Sequence, residues 1–293
     1  MFVVIGIIVV LGAILGGFVL EGGKLLVLFQ PAEFVIIGGA AVGAFLIANP
    51  LHLMISVFRG LLATMKPARY TKPFYVQNLQ MMNELFMYAR KNGMAKLEAD
   101  VDEPDKSPVF QKHTWLLADK PALDFLCDTI RTSISGGVSP HDLDQLMEAD
   151  LETQEGERHE PIASLTTTAD ALPGLGIVAA VLGIVVTMGA LGGPPEEIGH
   201  KVAAALVGTF LGILLCYGFI SPLAQNMAKI DHERAKYLLF LRSGINAFVR
   251  GMAPMLAVEF ARRGIPLHHR PTFREMEQSI KGASAATAKP EAA

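Results

Sequence analysis

The residues of this chain that could do chemistry are few, and most are hydroxyls set in apolar surroundings. Thr187 and Thr209 fall inside two uncharged runs, 172–192 and 202–220, and Tyr217 lies near the end of the second. A hydroxyl in such a run can offer its oxygen to a passing proton or cation. It can equally bond back to the carbonyl one helical turn earlier, and the sequence leaves both readings open. Reading the four apolar runs from end to end finds no Asp, Glu, His, Lys or Arg, with Asp170 just ahead of the third. A proton or cation path usually needs a titratable group at membrane depth. The chain is therefore expected either to carry no ions or to line a path whose carboxylate belongs to another polypeptide.

Soluble catalytic patterns do not occur. There is no GxSxG, HExxH, P-loop or GxGxxG after a strand, and Gly174-Leu175-Gly176 lies inside an apolar run. Cys127 and Cys216 have no CxxC neighbourhood and read as buried thiols of a reducing compartment. His268-His269, in a basic stretch, reads as a solvated pair rather than a metal site. No enzyme activity, cofactor or metal is expected. Two further features suggest mechanics. Pro173 opens the third run and Pro222 closes the fourth, where they read either as punctuation or as hinges. The mixed-charge segment from Arg90 to Glu98 leads into an acidic run, Asp100, Asp102, Glu103 and Asp105. Such charge suits either a solvated face or fast, salt-sensitive docking of a partner.

These groups must be positioned by membrane helices. The chain has 293 residues, is 51% hydrophobic and only 18% charged, and has a mean hydropathy of +0.39. That balance excludes disorder and an ordinary soluble enzyme, and a net charge of −3 gives no reason to expect nucleic-acid binding. Residues 2–20, 34–51, 172–192 and 202–220 meet or approach the length of a span. The first lacks a basic leader and a small-residue cleavage pattern, so it reads as a span and not a signal peptide. Every Lys and Arg except Lys24 and Lys201 lies in the two long blocks outside these runs. The positive-inside rule then places both blocks and both termini in the cytoplasm. Glycines four apart (Gly12 and Gly16, Gly39 and Gly43, Gly208 and Gly212) mark faces for close packing, within one subunit or between several.

The cytoplasmic blocks read as helical, with apolar residues near a 3.6 period over 75–92, 122–134 and 140–157. A polar helix over 229–250 continues the fourth span beyond Pro222. No segment alternates like a strand. The expected architecture is an all-α membrane protein with four transmembrane helices and a large helical cytoplasmic part. Its blocks are 1–51 (two spans), 52–169 (cytoplasmic), 170–222 (two pore-side spans), 223–281 (cytoplasmic) and a disordered tail over 282–293.

Several segments carry a resemblance. LPGLGIVAAVLG at 172–183, VGTFLGILL at 207–215 running on to YGFISPL at 217–223, ISG at 134–136, and AVEF at 257–260 with Arg270-Pro271 are similar to the MotA family. These are the ring-forming subunits of bacterial flagellar stators, within the MotA/ExbB/TolQ superfamily. The resemblance covers the chain up to its Ala-rich tail. It implies a homopentamer in the inner membrane around a dimer of MotB, whose single-span helices carry the proton-binding aspartate. It implies inward proton flow that turns the ring and drives the rotor protein FliG. Arg90 and Glu98 match the family's rotor-contact residues, and Pro173 and Pro222 its coupling prolines. Thr187, Thr209, Tyr217 and Ala180 fall along the implied ion path. Sodium-type relatives carry threonine at the position of Ala180. A hard cation wants oxygen ligands, so the resemblance implies protons over sodium. Relatives of the ExbB/TolQ type, which energise outer-membrane transport, usually have three spans. They stand as the alternative, together with a non-conducting membrane scaffold.

Overall fold

The computed structural model describes residues 2–189 and 192–287, without the side chains of 283–287. Helices follow in the order α1 (Phe2–Leu20), α2 (Leu25–Leu28), α3 (Pro31–Ala48), α4 (Leu51–Thr64), α5 (Lys72–Asn92), α6 (Met94–Asp102), α7 (Pro108–Gln111) and α8 (Thr114–Leu117). Then come α9 (Lys120–Ser135), α10 (Pro140–Met188), α11 (Pro195–Ile213), a π-helical stretch (Leu214–Ile220), α12 (Ser221–Val249), α13 (Pro254–Gly264) and α14 (Phe273–Thr287). There is no strand among the described residues. Among the described residues, four helical segments are long and apolar enough to cross a membrane: Phe2–Leu20, Leu25–Ala48, and parts of Pro140–Met188 and Pro195–Val249.

Sequence chemistry explains most helix ends. Proline at the first turn starts α3, α5, α9, α11 and α13, because the N–H it lacks would have no partner there. Pro50 also ends the second span. It forces Asn49 into the extended region, so α3 stops at Ala48 and not at residue 51. Gly93, at φ 86, separates α5 from α6. A side chain there would be strained, and the glycine lets two helices follow one another with a single residue between them.

Three expectations change. The acidic helix at 140–157 and the third span are one 49-residue helix, α10, with Pro161 and Pro173 inside it. Pro173 therefore opens nothing. Pro222 closes nothing either, since helix runs through it from α11 into α12. And α14 carries helix on to Thr287, past Gly282, where the disordered tail was expected to start. The remainder of that tail, 288–293, lies outside the described residues.

Two compact units form. One holds Met1–Pro67 with Gly156–Asp231, the other Ala68–Glu155 with His232–Ala293. These divisions fall further along the chain than residues 51 and 222 and earlier than 169. The physical reason is a small apolar cluster of Val57, Ile162, Leu165, Ala224 and Met227, which joins α4, mid-α10 and the start of α12 to the spans. The second unit has its own core. Tyr70, Phe74, Tyr75, Tyr237 and Phe240 stack with ring centroids 5.1–6.3 Å apart around α5 and α12. The buried Tyr237 hydroxyl donates to Asn78 Oδ1 at 2.8 Å. Buried Cys127 belongs to this core, and burial pushes its thiol up to about 12.

Candidate functional site

The spans of α10 and α11 are joined backbone to backbone. A Cβ on Gly176 would lie 2.9 Å from the Gly208 carbonyl oxygen and 3.1 Å from Gly212 Cα. One on Gly212 would lie 2.6 Å from the Leu172 carbonyl oxygen, and one on Gly183 2.8 Å from Ala205 Cβ. Only glycine fits such an approach, which in lipid is what holds helices together. The glycines of α1 and α3 are different. Gly12, Gly16, Gly39 and Gly43 have nothing within 4 Å of an added Cβ, so their small faces are open, and α1 buries none of its residues.

Below the glycine contact the helix widens. Over Leu214–Ile220 the backbone bonds run in the π pattern, and the Ser221 N–H donates to the Cys216 carbonyl five residues back. Pro222 follows directly. Inside a helix, proline removes one hydrogen bond and its ring presses on the carbonyl of the preceding turn; a wide turn accommodates both. Pro173 makes a similar break in α10. The residue before it, Leu172, has its carbonyl against Gly212, close to where the π stretch begins. The sequence left punctuation and hinge open for both prolines, and neither of them ends its helix.

The hydroxyls part company. Thr187 is 6% exposed, and its Oγ1 donates to the Gly183 carbonyl at 2.8 Å, the back-bonded arrangement. Thr209 is half-buried, next to the packed Gly208. Ala180 is half-buried and brings no oxygen. Tyr217 is 67% exposed, on the outer surface of the π stretch.

One residue that the sequence reading missed stands out. The second candidate span, Leu25–Ala48, contains Glu33 in the first turn of α3, so the four spans do hold an ionisable group, contrary to the expectation. Glu33 is 5% exposed and shares a buried stripe with Ile37 and Ala41. Its Oε2 has no hydrogen-bond partner. A Cβ added to Gly208 would come 2.5 Å from that oxygen. The signal was present in the sequence: Pro31 as a helix start places Glu33 on the i, i+4, i+8 face with Ile37 and Ala41.

In the other unit, Arg90 is exposed in the last turn of α5 and Glu98 half-exposed in α6, on either side of the Gly93 turn. Among the described residues they form no ion pair with each other. Lys96, between them in sequence, lies over the Tyr88 ring at 5.9 Å. A hydrogen bond to Asp100 raises the Tyr88 phenol to about 12. The hairpin beneath is tied to α9: Arg131 donates to Asp102 at 2.7 Å and to the Val101 carbonyl at 3.1 Å. A charged tip thus stands on a fixed base.

Residues 4–93 match the family described as Motility protein A N-terminal, and residues 118–237 match the MotA/TolQ/ExbB proton channel family. Motility protein A of Salmonella typhimurium is 39% identical over 281 residues, covering 96% of this chain and 95% of that protein. In fold the chain is similar to a C. jejuni MotAB structure, with a TM-score of 0.73 at 18% identity over 90% of this chain and 95% of that one. It is likewise similar to the flagellar MotAB stator complex from Bacillus subtilis, with a TM-score of 0.71 at 23% identity over 98% of each chain.

Proposed function

Because this chain belongs to the motility protein A family of flagellar stator proton-channel subunits, we propose that it forms the wall of a proton path whose main titrating acid is supplied by a MotB-type partner. One observation carries the reading: the glycine-locked pair of α10 and α11 offers a half-buried hydroxyl, Thr209, and no carboxylate within the uncharged runs 172–192 and 202–220. A wall of this kind transports nothing until an acid is set against it.

Five copies enclose a dimer of that partner. The open glycine faces of α1 and α3 support assembly, since they stay unfilled within one chain. Both termini and the charged hairpin lie in the cytoplasm, as the basic residues require. Protons, and not sodium, are the ion, because Ala180 adds no oxygen ligand. Proton arrival at the partner's acid changes the charge facing α10 and α11. The backbone bonds given up at Pro173 and Pro222 let these helices respond by bending at fixed points. Turning of the ring presents Arg90 and Glu98 in sequence to complementary charges on the rotor protein FliG, generating torque.

The test is proton uptake into vesicles at an imposed inside-negative potential. The chain with its partner should exceed empty vesicles, while the chain alone, or with the partner's aspartate changed to asparagine, should not. Equal uptake by the chain alone would overturn the reading.

A further inference from the structure

We propose that Glu33 is a second proton-binding carboxyl of this machine, carried by the wall subunit and seated in a slot that Gly208 leaves open. The inference rests on the proton-path reading and adds a site to it. Two independent observations support it. The Glu33 carboxyl is buried with an oxygen that meets no donor. And the helix facing it carries glycine at position 208, where an added Cβ would come 2.5 Å from that oxygen.

The ordinary role of an acidic residue in a first turn is to face the helix's own free N–H groups. Glu33 Oε2 does not do so. Its side chain lies against α11, in line with Ile37 and Ala41, whose neighbours are the apolar Ala179, Val207 and Leu211. A carboxylate without a partner is costly in such a place, so the group holds a proton there or gives it up only to a nearby acceptor. Gly208 is seven residues beyond Lys201, the last charged residue of α11, about 10 Å along the axis at 1.5 Å per residue. The carboxyl therefore meets α11 within its apolar part, past the last charged residue.

No charge on the elements packed around it neutralises it. The α10 span has no ionisable side chain beyond Asp170. On α11 the ionisable groups are Glu196, Glu197, His200 and Lys201, all in its first two turns, with Lys201 paired to Glu197 at 3.0 Å. At the start of α2 stands Lys24. Among the described residues none makes an ion pair with Glu33. The step balances simply. A proton leaves water at the outer face and forms the Oε2–H bond. That bond breaks as the proton passes to the next acceptor, the carboxylate of the central partner.

The test uses the whole complex with its partner in lipid. With 13C-labelled glutamate, infrared spectra should show a protonated carboxyl band that titrates. Glu33→Gln should lose the band, and Glu33→Asp should move it. Uptake should fall about 10²-fold in Glu33→Gln, the lower end of what a positioned proton-transfer group contributes. Gly208→Ala should slow uptake by crowding the carboxyl, and the shorter acid in Gly208→Ala/Glu33→Asp should restore most of it. Unchanged uptake and pH profile in an assembled Glu33→Gln complex, or no Glu33-dependent band, would overturn the proposal. A wild-type complex that conducts nothing would sink the proton-path reading instead, and the band would still decide whether Glu33 exchanges protons. If Glu33→Gln does not assemble, the wild-type titration and Glu33→Asp decide.

Discussion

Gly212→Ala tests the contact on which the membrane unit is built. The added methyl would sit 2.6 Å from the Leu172 carbonyl oxygen and 2.9 Å from Gly176 Cα. Ordinary contacts of such atoms begin near about 3.5 Å, so the shortfall is roughly 0.9 Å. Both obstacles are backbone, which cannot swing aside as a side chain would. The helices must part by about 1 Å at this level, and overpacking of that kind costs about 1–3 kcal/mol. Because both obstacles are backbone, the cost falls in the upper part of that range, about 2–3 kcal/mol; replacing glycine by alanine in a helix returns up to about 1 kcal/mol, leaving a net loss of roughly 1–2 kcal/mol. At about 2–4 °C per kcal/mol, the midpoint should fall by roughly 2–8 °C. The assay is thermal unfolding of the purified complex in one detergent or lipid, beside Gly156→Ala. Gly156 is exposed and an added Cβ meets nothing within 4 Å, so the same exchange should leave the midpoint unchanged or raise it. Should Gly212→Ala melt at or above the wild type while Gly156→Ala behaves as stated, the backbone-contact argument is wrong.

Three further outcomes are expected. Asp119→Ala removes the buried carboxylate shared by Arg69 at 3.0 Å and Arg234 at 3.2 Å; it should destabilise the chain by about 3 kcal/mol in denaturant titrations, as loss of a buried partner does. Hydrogen bonds from Arg262 first, then Arg263, hold the Glu259 carboxyl below the usual range. Its contribution is therefore complete above the ordinary glutamate value of about 4.3 and lost as pH falls through the lower folded value; Glu259→Gln should flatten that acid limb of the stability curve. Arg90→Glu and Glu98→Lys should each lower torque in tethered-cell rotation while the complex still assembles, and unchanged torque in both would remove the rotor contact.

Much of the fold was legible because lipid imposes one pattern, the uncharged run, and few sequences produce it otherwise. Helix starts at Pro73 and Pro121 and the break at Gly93 were readable for the same local reasons that form them. The long continuous helices were not. Pro173 and Pro222 carry the signals of ends, and only packing reveals that neighbouring turns absorb the missing bonds. Glycine spacing was also ambiguous: Gly39 and Gly43 are four apart, as are Gly208 and Gly212, yet only the second pair meets another backbone. Spacing specifies a smooth face and is silent on what presses against it. Glu33 escaped because the apolar block was drawn from Phe34, one residue too late to include it.

The wide turn at Leu214–Ile220 gives the protein a vernier. Each residue added to or deleted from a helix swings everything beyond it by about 100°. A stretch that already departs from regular winding can take up such a change with little added cost. Insertions or losses absorbed there would leave in register both the glycines of α11 and the core residues of α12, Tyr237 and Phe240 among them. Variation in length among related chains should therefore be tolerated there sooner than anywhere else in the span.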